Sequence, residues 1–219
     1  MRLLPTLALC ALAGPVAAEP EDAAVKVIRT GPRDGVGSGT VIHTGKNGSF
    51  VLTNWHVAPD GTSKFTVQSG GQEYPAHWVA ADDRTDLALL RVDARLTAIG
   101  LADDLPGVGT QLRQWGCSRG GPPKAKAGRL LAETARAVVW TPFGYVTTAD
   151  TCRVDIRPEL GDSGAGLVSP DGRLVAVIYC GDVATVYPGD GPPVRRLVAP
   201  ETCVAVADVR RFVGKYLVE

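Results

Sequence analysis

The sequence predicts an all-β fold, built from two sets of about six short strands and ended by a single helix. Three observations support this fold class. Apolar segments are short and are interrupted throughout by turn residues, with 26 Gly and 16 Pro among 219 residues. Hydrophobic residues make up 45% and charged residues 21% of the chain, as in globular proteins. Only the tail after Asp208 has apolar residues at helical spacing.

The first set of strands is predicted within residues 25–105. It opens with the apolar stretch Val25–Ile28. Asn47-Gly48 marks a hairpin turn, because this dipeptide tolerates the positive φ angles of the turn type that matches strand twist. The partner strand then covers Phe50–Thr53. The apolar run Leu87–Val92 is expected to be another strand of this set.

The second set is predicted within residues 106–207, after a connection that ends near Gly109, and it includes short strands at 128–133 and 137–140. A helix over 208–219 follows, with Asp208 as its N-cap. No internal repeat interrupts this arrangement. Lys plus Arg and Asp plus Glu are balanced at 23 each, so charge gives no reason to expect a nucleic-acid or membrane-surface partner.

The first 18 residues have the pattern of a cleaved export signal. Arg2 supplies the positive charge, Leu3–Ala13 is the apolar region, and Val16–Ala18 supplies the small residues that a signal peptidase requires. A membrane anchor would need a longer apolar run, and lipid attachment at Cys10 is disfavoured by the bulky residue before it. The expected mature chain is 19–219, secreted or periplasmic, without a membrane anchor.

Four cysteines remain after removal of the leader: Cys117, Cys152, Cys180 and Cys203. An even number in an exported chain predicts two disulfides, with three possible connectivities. Their spacing is not that of a zinc site, and no metal is expected.

Three short motifs contain the residue types of a nucleophilic active site. They are Leu-Thr-Asn-Trp-His-Val around His56, Thr-Asp-Leu-Ala-Leu-Leu around Asp86, and Gly-Asp-Ser-Gly-Ala-Gly around Ser163. A serine hydroxyl needs a base within hydrogen-bond reach, and an imidazole can take its proton at neutral pH. A buried carboxylate can orient that imidazole and stabilise its charged form. We therefore predict a catalytic triad of Ser163, His56 and Asp86.

These motifs, in the order His, Asp, Ser, resemble those of trypsin- and chymotrypsin-like serine peptidases over the chain from about Val36 onward. The resemblance implies two six-stranded antiparallel β-barrels with the site between them, cleavage of protein or peptide substrates through an acyl-enzyme, and no cofactor. It also implies that the N–H groups of Gly161 and Ser163 form the oxyanion hole. The Asn54 motif is similar to that of bacterial Deg-type and glutamyl endopeptidases, and a compact monomer without a PDZ domain is expected.

Substrate selectivity is less constrained by these motifs. The family geometry implies a specificity pocket walled by the strand residues Tyr179, Cys180 and Gly181 and by the segment 153–160. Arg157, six residues before the serine, would favour an acidic substrate side chain if it lined this pocket. The alternative is that Arg157 lies on a surface loop and points to solvent.

Asp162 raises the question of activation. In zymogens of the resembled family, the residue before the serine pairs with a newly cut N-terminus, whereas bacterial relatives can use an internal polar group. No clear activation site precedes Val27-Ile28, which favours activity without such cleavage.

Two other functions fit the sequence less well than a peptidase does. A catalytically silent binding module would have no need of all three triad residues together. An esterase of the α/β-hydrolase type would need glycine in place of Ala165 and the triad order Ser, Asp, His.

Overall fold

The computed structural model describes residues 19–140, 146–157, 159–186 and 194–217, so the predicted export signal lies outside the described residues. The twelve strands form two closed antiparallel barrels of six strands each, followed by a C-terminal helix. The predicted fold class is therefore confirmed, and the parallel sheet of an α/β-hydrolase is absent from the described part of the chain. The same ranges contain no helix whose length and apolar character would let it span a bilayer.

The first barrel closes in the order β1-β2-β3-β6-β5-β4. A short 3₁₀ turn at Pro20–Ala23 precedes it. Its strands are β1 (Ala24–Thr30), β2 (Gly35–Gly45), β3 (Gly48–Thr53), β4 (Lys64–Ser69), β5 (Gln72–Asp82) and β6 (Leu87–Val92). β2 and β3 form the hairpin that Asn47-Gly48 predicted, and Gly48 has a φ of 103°.

The second barrel closes in the order β10-β11-β12-β9-β8-β7. Its strands are β7 (Gln111–Gly116), β8 (Lys124–Trp140), β9 (Val146–Val154), β10 (Gly166–Val168), β11 (Leu174–Val186) and β12 (Val194–Ala205). The sequence predicted two short strands where the long strand β8 runs without a break. Its ladder with β9 absorbs two register shifts, so bulges replace the expected turns.

The helix, α1, covers Val206–Val213 and begins before the predicted position. Ala205 is its N-cap, so the prediction that Asp208 caps the helix is wrong. Asp208 lies in the first turn and is buried, and its carboxylate accepts a hydrogen bond of 2.6 Å from the N–H of Asp150 on β9. This tertiary contact occupies the side chain that was expected to cap the helix. Val209, Phe212 and Val213 pack into the core.

The predicted pair of disulfides is wrong. Cys117, Cys152 and Cys203 are buried thiols, whereas two disulfides would require all four mature cysteines. Cys152 and Cys203 are core residues of the second barrel, while the Cys117 thiol lies 3.6 Å from the carbonyl oxygen of Val25 in the first barrel. Burial raises the pKa of the Cys117 thiol, which keeps it protonated. These residues act as small apolar side chains, and the side chain of Cys180 lies outside the described residues.

Candidate active site

His56 and Asp86 meet because β3 and β6 are neighbouring strands of the first barrel. His56 follows the end of β3 and Asp86 precedes β6, and Thr53 at the end of β3 pairs with Ala88 on β6. His56 Nδ1 lies 2.8 Å from Asp86 Oδ2 and 3.1 Å from Oδ1. An ionised carboxylate only accepts hydrogen bonds, so Nδ1 carries the proton and Nε2 is left as the basic nitrogen.

The backbone holds the Asp86 carboxylate in this position. Asp86 is fully buried and has a φ of 54°, a left-handed conformation that aspartate tolerates better than most residues. Its Oδ1 accepts a hydrogen bond of 3.0 Å from the His56 N–H, and its carbonyl oxygen accepts one of 2.9 Å from the Asn54 side chain. The carboxylate is therefore fixed relative to both the ring and the backbone of His56.

Ser163 lies in the loop before β10, where close packing requires glycine on either side. Gly164 has a φ of 88°, and an added Cβ would lie 2.1 Å from the carbonyl oxygen of Ser38. Gly161 has a φ of 97°, and its Cβ would lie 2.5 Å from the carbonyl oxygen of Cys117. A side chain at Gly164 would push the loop away from the first barrel, and one at Gly161 would push it away from the segment after β7, which explains the spacing of the glycines around the serine.

Ser38, on β2 of the first barrel, anchors the Ser163 loop. Its N–H donates to the carbonyl oxygen of Ser163 at 2.7 Å, and its hydroxyl donates to the carbonyl oxygen of Gly161 at 2.7 Å. The same hydroxyl accepts a hydrogen bond of 2.8 Å from the N–H of Cys117. The Ser163 loop of the second barrel is thus hydrogen-bonded to the barrel that carries His56.

Asp162 is paired with Lys126, a residue of β8. The Lys126 ammonium lies 2.6 Å from Asp162 Oδ2, and Asp162 is 1% exposed. Asp162 Oδ1 accepts from the Ser118 hydroxyl at 2.7 Å, and Oδ2 accepts from the N–H of Glu159 at 3.0 Å. The hydrogen bond from Lys126 also lowers the pKa of Glu159, which is 3.2 Å from the ammonium. The partner of Asp162, which the sequence did not identify, is therefore an internal lysine.

One cleft between the barrels brings three of the predicted site residues together. It has a volume of about 640 Å³, and His56, Gly161 and Ser163 are among its lining residues. The apolar side chains of Val36 and Leu160 also line it and are 45% and 65% exposed.

The predicted pocket residues lie apart from this cleft. Arg157 has an exposed side chain, and its carbonyl oxygen accepts a hydrogen bond of 3.1 Å from Lys126. Tyr179 is fully buried. Cys180 and Gly181 continue the same strand, β11. Their roles in a pocket stay predictions.

Sequence reasoning missed three residues around the site: Ser38, Lys126 and Glu201. Ser38 and Lys126 bind partners that are far away in the chain, and the environment of Glu201 is likewise set by distant segments. The residues beside all three carry no motif. Glu201 on β12 is 0% exposed, and burial followed by the nearby Asp162 carboxylate raises its pKa to about 8. Glu201 lies inside β12 and outside the strand that the sequence predicts near Cys203–Val206, and a single glutamate is ordinarily exposed, so no local signal marked it.

Comparison with known proteins agrees with this geometry. A family model described as "Trypsin-like peptidase domain" matches residues 37–177. The chain is 31% identical over 167 residues to a "Probable periplasmic serine protease do/HhoA-like" of Haemophilus influenzae, covering 72% of this chain and 32% of the relative. It is 29% identical over 169 residues to the "Periplasmic pH-dependent serine endoprotease DegQ" of Escherichia coli, covering 73% and 33%. The chain thus spans about a third of the length of these curated relatives.

A solved structure shows the same fold. The active form of the Rv3671c protease from M. tuberculosis superposes with a TM-score of 0.75 at 22% identity, covering 91% of this chain and 83% of the other. At this identity the likeness concerns the fold alone.

Proposed function

We propose that this chain, which belongs to the trypsin-like peptidase family, is a serine endopeptidase with Ser163 as nucleophile, His56 as general base and Asp86 as the orienting acid. The observation that carries the proposal is the contact of 2.8 Å between His56 Nδ1 and the buried Asp86 carboxylate, at the edge of a cleft that Ser163 also lines. This is the arrangement that makes Nε2 the proton acceptor for a serine hydroxyl.

The reaction follows from these roles. His56 Nε2 accepts the hydroxyl proton as Ser163 Oγ forms a bond to the substrate carbonyl carbon, and Asp86 stabilises the resulting imidazolium. His56 then gives the proton to the leaving amine as the C–N bond breaks, which leaves an acyl-enzyme on Ser163. A water molecule, deprotonated by His56, attacks this ester, and the acid product leaves as Ser163 recovers its proton. No cofactor takes part in these steps.

The N–H groups of Gly161 and Ser163 would stabilise the oxyanion of each tetrahedral intermediate. The Arg119 N–H holds the carbonyl oxygen of Leu160 at 2.6 Å. In a trans peptide the carbonyl and the following N–H point in opposite directions, so this bond turns the Gly161 N–H away from Arg119. Gly161 lines the cleft, which supports its N–H as an oxyanion donor.

The Lys126 ion pair supports activity without cleavage of a propeptide. Lys126 already neutralises Asp162 and lies on β8, so a newly cut N-terminus is not needed as the counter-ion. With Asp162 fixed by Lys126, Ser118 and Glu159, the loop that carries the oxyanion donors is held in place.

The cleft favours an extended peptide as the substrate. It is open to solvent, and the exposed side chains of Val36 and Leu160 give it apolar contact surface. The export signal predicted over 1–18, and the periplasmic relatives, support proteins outside the cytoplasm as the substrates.

Hydrolysis of a denatured protein tests the proposal. The exported wild type should release peptides from fluorescently labelled casein, and Ser163→Ala should release none above background although it is equally folded. Equal hydrolysis by both proteins, or none by a folded wild type, would contradict the assignment of the nucleophile.

A further inference from the structure

Glu201 is a buried carboxylate that no described residue satisfies. Its exposure is 0%, and neither Oε1 nor Oε2 has a hydrogen-bond partner within the described ranges. Buried polar groups in proteins are nearly always hydrogen-bonded, and a buried charge is normally paired, because water is no longer available to solvate them. A group that departs from this rule beside a catalytic serine calls for a ligand.

The sheet register places Glu201 between the two walls of the predicted specificity pocket. β12 lies between β11 and β9, and Glu201 is opposite Gly181 on β11 and Val154 on β9. One predicted wall is the part of β11 from Tyr179 to Gly181, and the other is the segment 153–160. Cys203, two residues along β12 and therefore on the same face, packs in the barrel core. The Glu201 side chain thus points inward, between the two predicted walls.

The position of Glu201 is connected to the region of Ser163 in two ways. The N–H of Gly164, next to Ser163, donates to the carbonyl oxygen of Ile178 at 2.9 Å, and Gly181 lies three residues further along β11. The carboxylate of Asp162, on the other side of Ser163, is close enough to act electrostatically on Glu201. Glu201 is therefore within the reach of a long side chain whose backbone carbonyl is at Ser163.

Within the described part of the chain, the cation whose charge acts on Glu201 is Lys126. Its ammonium is directed to Asp162, Glu159 and the carbonyl oxygen of Arg157, so it does not pair with Glu201. An ammonium has three donors, so these contacts use all of them. The positions opposite Glu201 on the flanking strands are Val154 and Gly181, which carry no charge. Burial and Asp162 accordingly raise the pKa of Glu201, which keeps its proton at neutral pH until a cation arrives.

We propose that Glu201 is the specificity-determining residue of this peptidase and that its carboxylate binds a lysine or arginine side chain immediately before the cleaved bond. The inference rests on the proposed endopeptidase function. On binding, Glu201 loses its proton to solvent and forms a charge-assisted pair with the ammonium or guanidinium. The substrate thus supplies the missing cation. The exposed Arg157 would select the opposite charge, so a single cleavage profile separates the two residues.

The first experiment compares cleavage of matched peptides by wild type, Glu201→Gln and Glu133→Gln. The peptides differ only in having Arg, Lys, Val or Glu before the cut, and Glu133 is an exposed glutamate of the same barrel. Wild type and the Glu133 variant should prefer Arg and Lys. Glu201→Gln should lose about 100-fold or more in kcat/KM on these two peptides, with little change on the Val peptide. A fluorophosphonate probe should label all three proteins equally, as a check on the triad.

A second readout does not depend on a variant folding. Benzamidine, an aromatic cation, should slow fluorophosphonate labelling of the wild type, and its affinity should rise as the pH approaches about 8, because Glu201 ionises there. A labelled wild type that prefers Val or Glu and ignores benzamidine would overturn the role of Glu201 but leave the peptidase intact. Absence of labelling in a folded wild type would overturn the peptidase and this inference together.

Discussion

Asp86 from the first barrel and Glu201 from the second are both fully buried carboxylates, and they differ in their hydrogen-bond partners. Asp86, from the first barrel, accepts hydrogen bonds from the ring and the backbone of His56. Glu201, from the second barrel, has no hydrogen bond from any described residue. The Asp86 carboxylate is therefore fully hydrogen-bonded without a substrate, whereas the Glu201 carboxylate is not. If both proposals hold, the catalytic groups are preorganised and the selective group gains its partner only when substrate binds.

The largest effect is expected from replacing the Asp86 carboxylate, which is fully hydrogen-bonded. Asp86→Asn should lower kcat by about 10⁴-fold, because an amide can no longer both accept from Nδ1 and stabilise the imidazolium. Steady-state kinetics on a peptide substrate measure this loss. Asp83→Asn, an exposed aspartate of the same loop, is the control and should leave kcat unchanged. An Asp86 variant within tenfold of wild type would show that Asp86 does not orient the base.

The next largest effect is expected from Lys126, which pairs with Asp162, the buried carboxylate next to Ser163 in the chain. Lys126→Met leaves Asp162 buried without a cation, so the oxyanion loop should shift and kcat should fall by about 10²–10³-fold. Lys126→Arg should recover part of this loss. Lys124→Met, an exposed lysine on the same strand, should behave as wild type. A KM effect alone, with kcat unchanged, would contradict a positioning role for Lys126.

The Glu201 carboxylate, unpaired among the described residues, should make the free energy of unfolding depend on pH. The pKa of Glu201 is about 8 in the folded state and about 4.5 when unfolded, so between these values the folded state keeps a proton that the unfolded state has released. The free energy of unfolding should therefore fall as pH rises from about 4.5 to about 8, by on the order of a few kcal/mol. Denaturant titrations of wild type and Glu201→Gln at several pH values measure the difference. Parallel curves for the two proteins would show that Glu201 is not buried as a lone acid.

The smallest effect compares ordinary buried polar side chains of the two barrels. Gln114 is fully buried in the second barrel, and neither of its amide atoms has a hydrogen-bond partner among the described residues. Ser49 in the first barrel donates to the carbonyl oxygen of Ala94 at 2.7 Å. Gln114→Leu should therefore stabilise the fold by about 1 kcal/mol, whereas Ser49→Ala should destabilise it by a similar amount. Urea titrations give both values, and effects of the same sign would remove this contrast between the barrels.

The predicted elements that depend on local signals agree with the structure. The Asn47-Gly48 turn marks a hairpin by itself, and the short apolar runs predict the strands of both barrels. His56 and Asp86 could be identified as a pair because each lies at the end of an apolar strand inside a recognisable motif.

The features that the sequence did not reveal depend on pairing between distant segments. Lys126 and Asp162 meet only because the second barrel closes, and Glu201 becomes a lone acid only through its neighbours on β9 and β11. The number of cysteines predicted disulfides, but the number does not tell where in the barrels each thiol is buried. Asp208 looked like a helix cap because its tertiary partner, the N–H of Asp150, is far away in the chain.

The most direct test of the account is to locate the covalent adduct of a fluorophosphonate probe by mass spectrometry of the labelled, folded protein. Attachment to Ser163 in the wild type, and its loss in both Ser163→Ala and His56→Ala, is the predicted result. An adduct on another residue, or a folded wild type that takes up no probe, would contradict the claim that the cleft between the barrels is a serine peptidase site.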